Sequence, residues 1–443
     1  MPQNARPNKL TLCSYQVGFG DCFLLTFHYD TMERHVLIDF GSTAIPKTAN
    51  SNQMELVAKD IQRRCGGEEN GKLHAVVATH RHKDHISGFA TGNNPTTPGN
   101  IIRALNPNVV IQPWTEDPRA DPETGNLTPL KSARKSFLSS LQNMHTVSGA
   151  VLAETDHRRL SFGKERFEQL KFIGDDNLKN LSAVKNLMTM GGRQTYVHFG
   201  SKSGLESILP GVKTHVLGPP NLKQSQEIRK QRSTDPDEFW HLHNEARFWL
   251  TQALAGKLVM GNDFNGRALF PDAPVYSDSS PPPFARWFVE RLRKIRGDQL
   301  LGLVRALDSA LNNTSIILLF QAGSKKLLFP GDAQIENWSY ALDKPSVRRL
   351  LKGVSLYKVG HHGSLNATPK SMWKLFEHRS EKKTEPERLQ TVVSTMSGKH
   401  GKTEKTAVPR KTLVEELEKS SAYFTTQNLR GKKKLCEEIE IIF

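Results

Sequence analysis

The sequence predicts a layered α/β fold. Short apolar segments of strand character crowd both ends of the chain, and helical patterning separates them. The length of 443 residues allows a sizeable buried core. Hydrophobic residues make up 37% of the chain, near the globular norm, which argues against wholesale disorder. Near the start, LTLCSYQV, DCFLLTFHY and HVLIDF read as three strands, with Gly18 and Gly20 at the first turn. LHAVVAT at 73–79 is a fourth strand and VVIQPW at 109–114 a fifth. Residues 115–192 are polar and mixed, and 221–310 read mostly as helix interrupted by the turn SDSSPPPF. Strand signals return at TYVHF, THVLGPP, SIILLF, KLLFPGD, SLYKVG, TVVSTM and EIEIIF. The expectation is one domain spanning 1–443, with insertions at about 115–192 and 221–310.

Charge and composition narrow the function classes. Lys and Arg outnumber Asp and Glu by 61 to 45, a formal charge of +16. Such a chain attracts polyanions, of which nucleic acid is the commonest large one. No apolar run approaches the roughly 18 residues needed to span a bilayer. The opening MPQNARPNKLTLC has no apolar stretch ahead of a cleavage site, which argues against a secretory leader. Cys13, Cys22, Cys65 and Cys436 share no C-x-x-C spacing and read as free thiols in a reducing cytoplasm. A cytoplasmic protein with no membrane partner is expected.

The chemistry concentrates in ATHRHKDHISG, residues 78–88. His80, His82, Asp84 and His85 fall within six positions after an apolar strand, where the chain can turn several side chains toward one point. Neutral imidazole and carboxylate suit zinc, manganese or iron. His80 and His82, two apart in a loop, can bind one ion together. Asp84 and His85, adjacent at a helix start, can bind a second close by.

H-x-H-x-D-H resembles the signature of the metallo-β-lactamase fold, the four-layer αββα sandwich shared by many metallohydrolases. That resemblance implies roles for residues elsewhere. Asp39 in VLIDFG matches an aspartate that braces the ligand loop from behind. Asp332 in LLFPGDA matches the aspartate that bridges two metals, and His362 in VGHHGS the late histidine that closes the second site. Its neighbour His361 can exchange roles with it. Within the fold, VGFGDCFLL, THVLGPP, NNTSIILLF and KVGHHGSLNAT resemble, in order, motifs of the branch containing the hydrolase domain of the competence DNA-channel protein. The resemblance covers the two β-rich ends and not the middle.

One stretch departs from the general pattern. Most dinuclear members carry a further metal-binding histidine upstream of the bridging aspartate; here Asn312-Asn313-Thr314-Ser315 stands in that place, and the competence-type branch has a similar N-N-x-S stretch. An asparagine oxygen is a weak, hard ligand, so this metal would accept manganese or magnesium more readily than a three-histidine zinc site would. Alternatively, Asn312 or Asn313 holds a phosphate oxygen, or a distant histidine (His198, His215, His241 or His243) substitutes.

The resemblance implies two divalent ions, zinc or manganese with magnesium as an option. Such a pair lowers the pKa of a bridging water to about 7 and clamps the attacking and leaving oxygens. Asp332 would orient that bridging hydroxide between the metals, with Asp84 beside it. Whichever of His361 and His362 is not a ligand would protonate the leaving group or steady the developing charge. Ser364 would act as a supporting donor, as would Ser315.

Charge carries the substrate expectation. In FARWFVERLRKIRGD, Phe288, Leu292 and Ile295 repeat at helical spacing, which leaves Arg291 and Lys294 on a cationic side. GKHGKTEKTAVPRK adds Lys399 and Lys402. Phosphate contacts of this kind give sequence-independent affinity that falls steeply with salt. The expected function is a metal-dependent nuclease acting on DNA or RNA, held in check by a regulatory protein partner. Two other readings stand: hydrolysis of a small ester, lactam or phosphodiester metabolite, and nucleic-acid binding with a degenerate metal site. Oligomeric state is left open.

Overall fold

Strict two-residue alternation in strands that are buried on both faces decides the architecture. The computed structural model describes residues 5–117, 180–221, 223–225, 311–364, 368–399, 407–429 and 434–443. They belong to one compact unit drawn from Met1–Asn126, Asn180–Pro236 and Ser309–Phe443. Leu127–Lys179 and Asp237–Asp308 form a second unit, which lies outside the described residues. Arg291, Lys294, His241, His243 and Lys402 also lie outside them, as do most of the two expected insertions.

The first six strands are β1 (Lys9–Tyr15), β2 (Cys22–His28), β3 (Glu33–Phe40), β4 (Ala75–Val77), β5 (Val109–Pro113) and β6 (Gln194–Val197). Six more follow: β7 (Val212–Gly218), β8 (Ile317–Ala322), β9 (Lys325–Phe329), β10 (Leu356–Lys358), β11 (Gln390–Val393) and β12 (Ala422–Thr425). The last is β13 (Cys436–Ile442). They form two mixed sheets, ordered β13-β1-β2-β3-β4-β5-β6 and β12-β11-β10-β9-β8-β7. Each sheet contains an antiparallel meander, β1 to β3 or β7 to β9, that continues into three parallel strands. The same topology is thus built twice. β13 returns to pair antiparallel with β1.

The alternation sends each strand's residues to two cores. Phe23, Leu25 and Phe27 of β2 share one buried cluster with Leu318 and Phe320 of β8 and with Leu327 and Phe329 of β9. Leu24, Leu37 and Val76, on the other face of the first sheet, pack with Val57, Ala58 and Ile61 of the helix Gln53–Arg64 and with Leu187 of the helix Leu181–Thr189. Ile317, Leu319 and Tyr357, on the far face of the second sheet, pack with Trp338 of Ile335–Leu342, Leu351 of Pro345–Lys352 and Leu417 of Lys411–Ser420. The helices follow ordinary rules. Pro345 starts its helix, where no backbone donor is needed, and Gly353 follows its end. Among the described residues, no helix is long and apolar enough to cross a membrane.

Most predicted strands fall where the patterning puts them, and the differences have local causes. β4 stops at Val77 rather than Thr79, because Thr79 leaves the sheet to bond Asp39. β8 starts at Ile317 rather than Ser315, because Asn312 to Ser315 form a turn closed by Ser315 N donating to Asn312 O at 3.1 Å. β12 carries no strand signal: its four residues at a sheet edge are half exposed and show no apolar alternation. Phe320 bridges the sheets, with its ring centroid 6.0 Å from those of both Phe27 and Phe329. Phe320→Ala is expected to destabilise the protein by about 3–5 kcal/mol in denaturant unfolding, from lost burial plus the residual cavity.

Candidate metal centre

Five segments deliver the site. The β1–β2 loop brings Asp21, the end of β3 Asp39, the loop after β4 Thr79 to His85, the loop after β9 Asp332, and the turn after β10 His361 and His362. The two halves of the duplicated topology contribute alike. Each gives an aspartate at or just past the end of its third strand and histidines after its fourth.

Local backbone geometry shows how tightly these segments meet. A Cβ on Gly41 would lie 2.4 Å from the backbone of Asp84 and His85, and one on Gly20 2.2 Å from the Gly41 carbonyl. The three loops therefore touch main chain to main chain, which only glycine allows. Asp21 N donates to Asp84 O at 2.9 Å and Gly41 N to Asp21 O at 3.0 Å. Asp39, His361 and His362 all have positive φ, 55°, 42° and 51°. Non-glycine residues adopt that conformation rarely, and it persists where surrounding bonds over-determine it. Asp39 supplies such bonds, accepting from Thr79 N and Thr79 Oγ1, both at 2.7 Å.

Asp84, His85, Asp332 and His362 each present a ligand atom, all within 4.8 Å of one another, so this cluster could hold a metal ion. His362 Nε2 lies 3.0 Å from Asp84 Oδ2 and 3.7 Å from Asp332 Oδ2, and His85 Nε2 lies 3.1 Å from Asp332 Oδ2. The opposite nitrogens are held from behind. His85 Nδ1 is 2.7 Å from Asp39 Oδ2, and His362 Nδ1 is 2.9 Å from the Ser394 carbonyl. Each acceptor takes an Nδ1–H, which leaves the Nε2 lone pair aimed inward, the tautomer a ligand requires. His80 Nε2 and His82 Nδ1 face each other at 3.0 Å, and the His80 ring centroid lies 4.2 Å from that of His85. The turn after β10 separates the histidine pair: His362 is fully buried in the cluster, whereas His361 lies at its rim, 28% exposed and 3.9 Å from Asp332.

The Asn312–Ser315 turn is packed directly beside this cluster. Ser315 Oγ accepts from Asp332 N at 3.3 Å, and Ile316 N donates to Thr79 O. Asn337 Nδ2 donates to the carbonyls of Asn313 and Ser315. The Oδ1 atoms of Asn312 and Asn313 are buried without a hydrogen-bond partner. His198 is bonded through Nδ1 to Phe199 O, and His215 lies in β7 against another cavity; neither joins the cluster. Ser364 follows the histidine pair, its N donating to His361 O at 2.8 Å. Lys399 is half-buried in the turn after β11.

Two charged residues form the floor of the site without having been singled out from the sequence. Lys358 shares a face of β10 with Leu356, opposite Tyr357, so its side chain enters the layer between the sheets, where it is 2% exposed. Its ammonium forms a short ion pair with Asp21 and lies 3.9 Å from Asp332 Oδ1. Burial by itself would lower the Lys358 ammonium, but the Asp21 and Asp332 carboxylates overcome it and raise it above its ordinary value. Burial would likewise raise the Asp332 carboxyl, but His85 and His362 hold it well below the usual range. Arg81, between the first two histidines, is clamped to Glu116 beyond β5. A lysine at an inward strand position and an aspartate after Gly18-Phe19-Gly20 were the signals available in the sequence.

The donor set fits a divalent metal. Imidazole nitrogens with fixed tautomers alternate with carboxylates, and His85 Nε2 and Asp332 Oδ1 are buried without hydrogen-bond partners. Against known proteins, the chain matches no family model and no curated protein.

Asp39→Ala is expected to lower metal affinity by about 10–100-fold without removing a cluster ligand, measured by chelator competition. Lys358→Met is expected to destabilise the metal-free protein by about 3–5 kcal/mol, because it strands the Asp21 carboxylate. The double variant Lys358→Met/Asp21→Asn is expected to recover most of that loss in the same unfolding measurement.

Proposed function

We propose that the chain is a metallohydrolase of the metallo-β-lactamase fold, with the two sheets and their outer helices as its αββα layers, and that it cleaves phosphodiester bonds of nucleic acid, DNA in particular. The observation that carries this reading is the meeting of His80, His82, Asp84, His85, Asp332 and His362 from both sheets. The charge count supports two divalent ions rather than one. Asp21, Asp39, Asp84 and Asp332 are buried, and Lys358 pairs with Asp21 and lies 3.9 Å from Asp332, which leaves a surplus of three negative charges when the histidines are neutral. Two divalent cations turn that surplus into a single positive charge, which suits an anionic substrate oxygen.

Asp84, His85 and His362 would hold one ion, His80 and His82 the other, and Asp332 would stand between them. When bound, such a pair makes water ionisable near neutral pH and offsets charge on phosphate oxygens. The chain's own residues do the rest. Asp39 and Thr79 keep the ligand loop in place, and Lys358 neutralises Asp21 beneath it. His361, at the rim 3.9 Å from Asp332, would protonate the departing oxygen or steady the charge developing on it. The formal charge of +16 favours a polyanionic substrate. Four buried free cysteines accord with a reducing, cytoplasmic setting.

Supercoiled plasmid and single-stranded DNA incubated at low salt with zinc, manganese or magnesium test the proposal. Metal-dependent cleavage is expected, falling steeply with salt and reduced by more than about a hundredfold in Asp84→Ala and Asp332→Ala, beyond the effect of losing a supporting residue. A protein that binds two metals yet leaves both DNAs intact would point to a small ester or phosphodiester substrate instead.

A further inference from the structure

A second concentration of charge lies at the opposite ends of the strands that carry the metal cluster. Arg34 is near the start of β3, Lys72 and His74 precede β4, Asn108 precedes β5 and Arg193 precedes β6. They line an open cavity of about 640 Å³. Three permanent cations face it, and no carboxylate is among its described lining residues. Lys72 donates to the Asn106 carbonyl and Arg193 to the Gly204 carbonyl at 2.9 Å, and an ammonium or guanidinium has further hydrogens to give.

The hydrogen bonding of His74 shows where its one hydrogen lies. Burial, followed by the charges of Arg34, His35 and Lys72, pushes the ring down to about 3, so it is neutral and carries one hydrogen. Its Nδ1 accepts from the His35 backbone N–H at 3.1 Å, which places that hydrogen on Nε2. Nε2 in turn lies 2.8 Å from Arg34 NH1, itself a donor. Two donors therefore stand side by side at the edge of the cavity.

We propose that this cavity binds a phosphate group, whose oxygens accept from Arg34 and from His74 Nε2–H while Lys72 and Arg193 balance its charge. From Arg34 to Asp39, β3 runs roughly 17 Å at about 3.3 Å per residue, so a phosphate here is not the one at the metal cluster. Its source is either a free phosphate monoester or a backbone phosphate of nucleic acid. The inference is independent of the hydrolase reading, because it needs no metal.

Calorimetric titration of the full-length, chelator-treated protein with inorganic phosphate tests it. One equivalent of saturable binding is expected, weakened about tenfold or more in Arg193→Ala and in Arg34→Gln, each change worth about 1.4 kcal/mol. Lys326→Ala, which removes a cation from a different cavity, is expected to leave it unchanged. Arg193 is exposed, so its variant guards against misfolding of the Arg34 variant. Competition by an oligonucleotide without terminal phosphates would identify the backbone as the source, and competition by a mononucleotide alone would identify a monoester; both support the site. Lack of saturable binding, or an equal loss in Lys326→Ala, would overturn it.

Discussion

Buried negative charge is the constraint on which the rest of the molecule depends. Four aspartates come together in an interior that penalises every uncompensated charge, and the surrounding structure is arranged around that fact. Lys358 reaches in from an inward strand position to meet Asp21. Asp39 is satisfied by both the main chain and the hydroxyl of Thr79 and faces His85 on the same side. Such a group of side chains is unfavourable to assemble uncompensated, and the cluster of Asp84, His85, Asp332 and His362 could hold a metal ion that would offset it.

The fold makes this concentration possible by presenting two similar strand sets to each other. Each half offers an aspartate and then histidines from adjacent parallel strands, so a single shared core orients both. The glycines at 20 and 41 let the loops approach without side chains between them. Left-handed backbone at Asp39, His361 and His362 then sets where these side chains go, Asp39 behind His85, His362 into the cluster and His361 to its rim. Packing, loop chemistry and ligand orientation are in this sense one design rather than three.

Much of this was legible in the chain. H-x-H-x-D-H, the aspartate of VLIDF and the paired histidines of VGHHGS stood out in the sequence, because a cluster that could hold a metal ion needs particular residue types at close spacing. The two β-rich ends were legible because strands buried on both faces read as apolar runs, whereas the repeat of one strand order in both sheets lies in pairings that no run displays. Lys358 and the role of Asp21 were not, because a lysine in a strand ordinarily marks a solvent face and only the register of β10 turns it inward. The choice between His361 and His362 depends on backbone torsions that adjacent identical residues conceal. β12 escaped notice because four residues at an edge carry too little periodicity to register.

The pairing of Asp84 with His362 spans 278 positions of chain, and β1 finds its edge partner β13 only near the far end. Contacts so distant in sequence form late and slowly, since loop closure must be endured before they reward it. A chain still emerging from the ribosome, or one cut between its two halves, would therefore possess histidines and aspartates but no assembled centre. For a protein whose proposed chemistry could harm the cell that makes it, topology alone delays the hazard until synthesis has reached the second sheet.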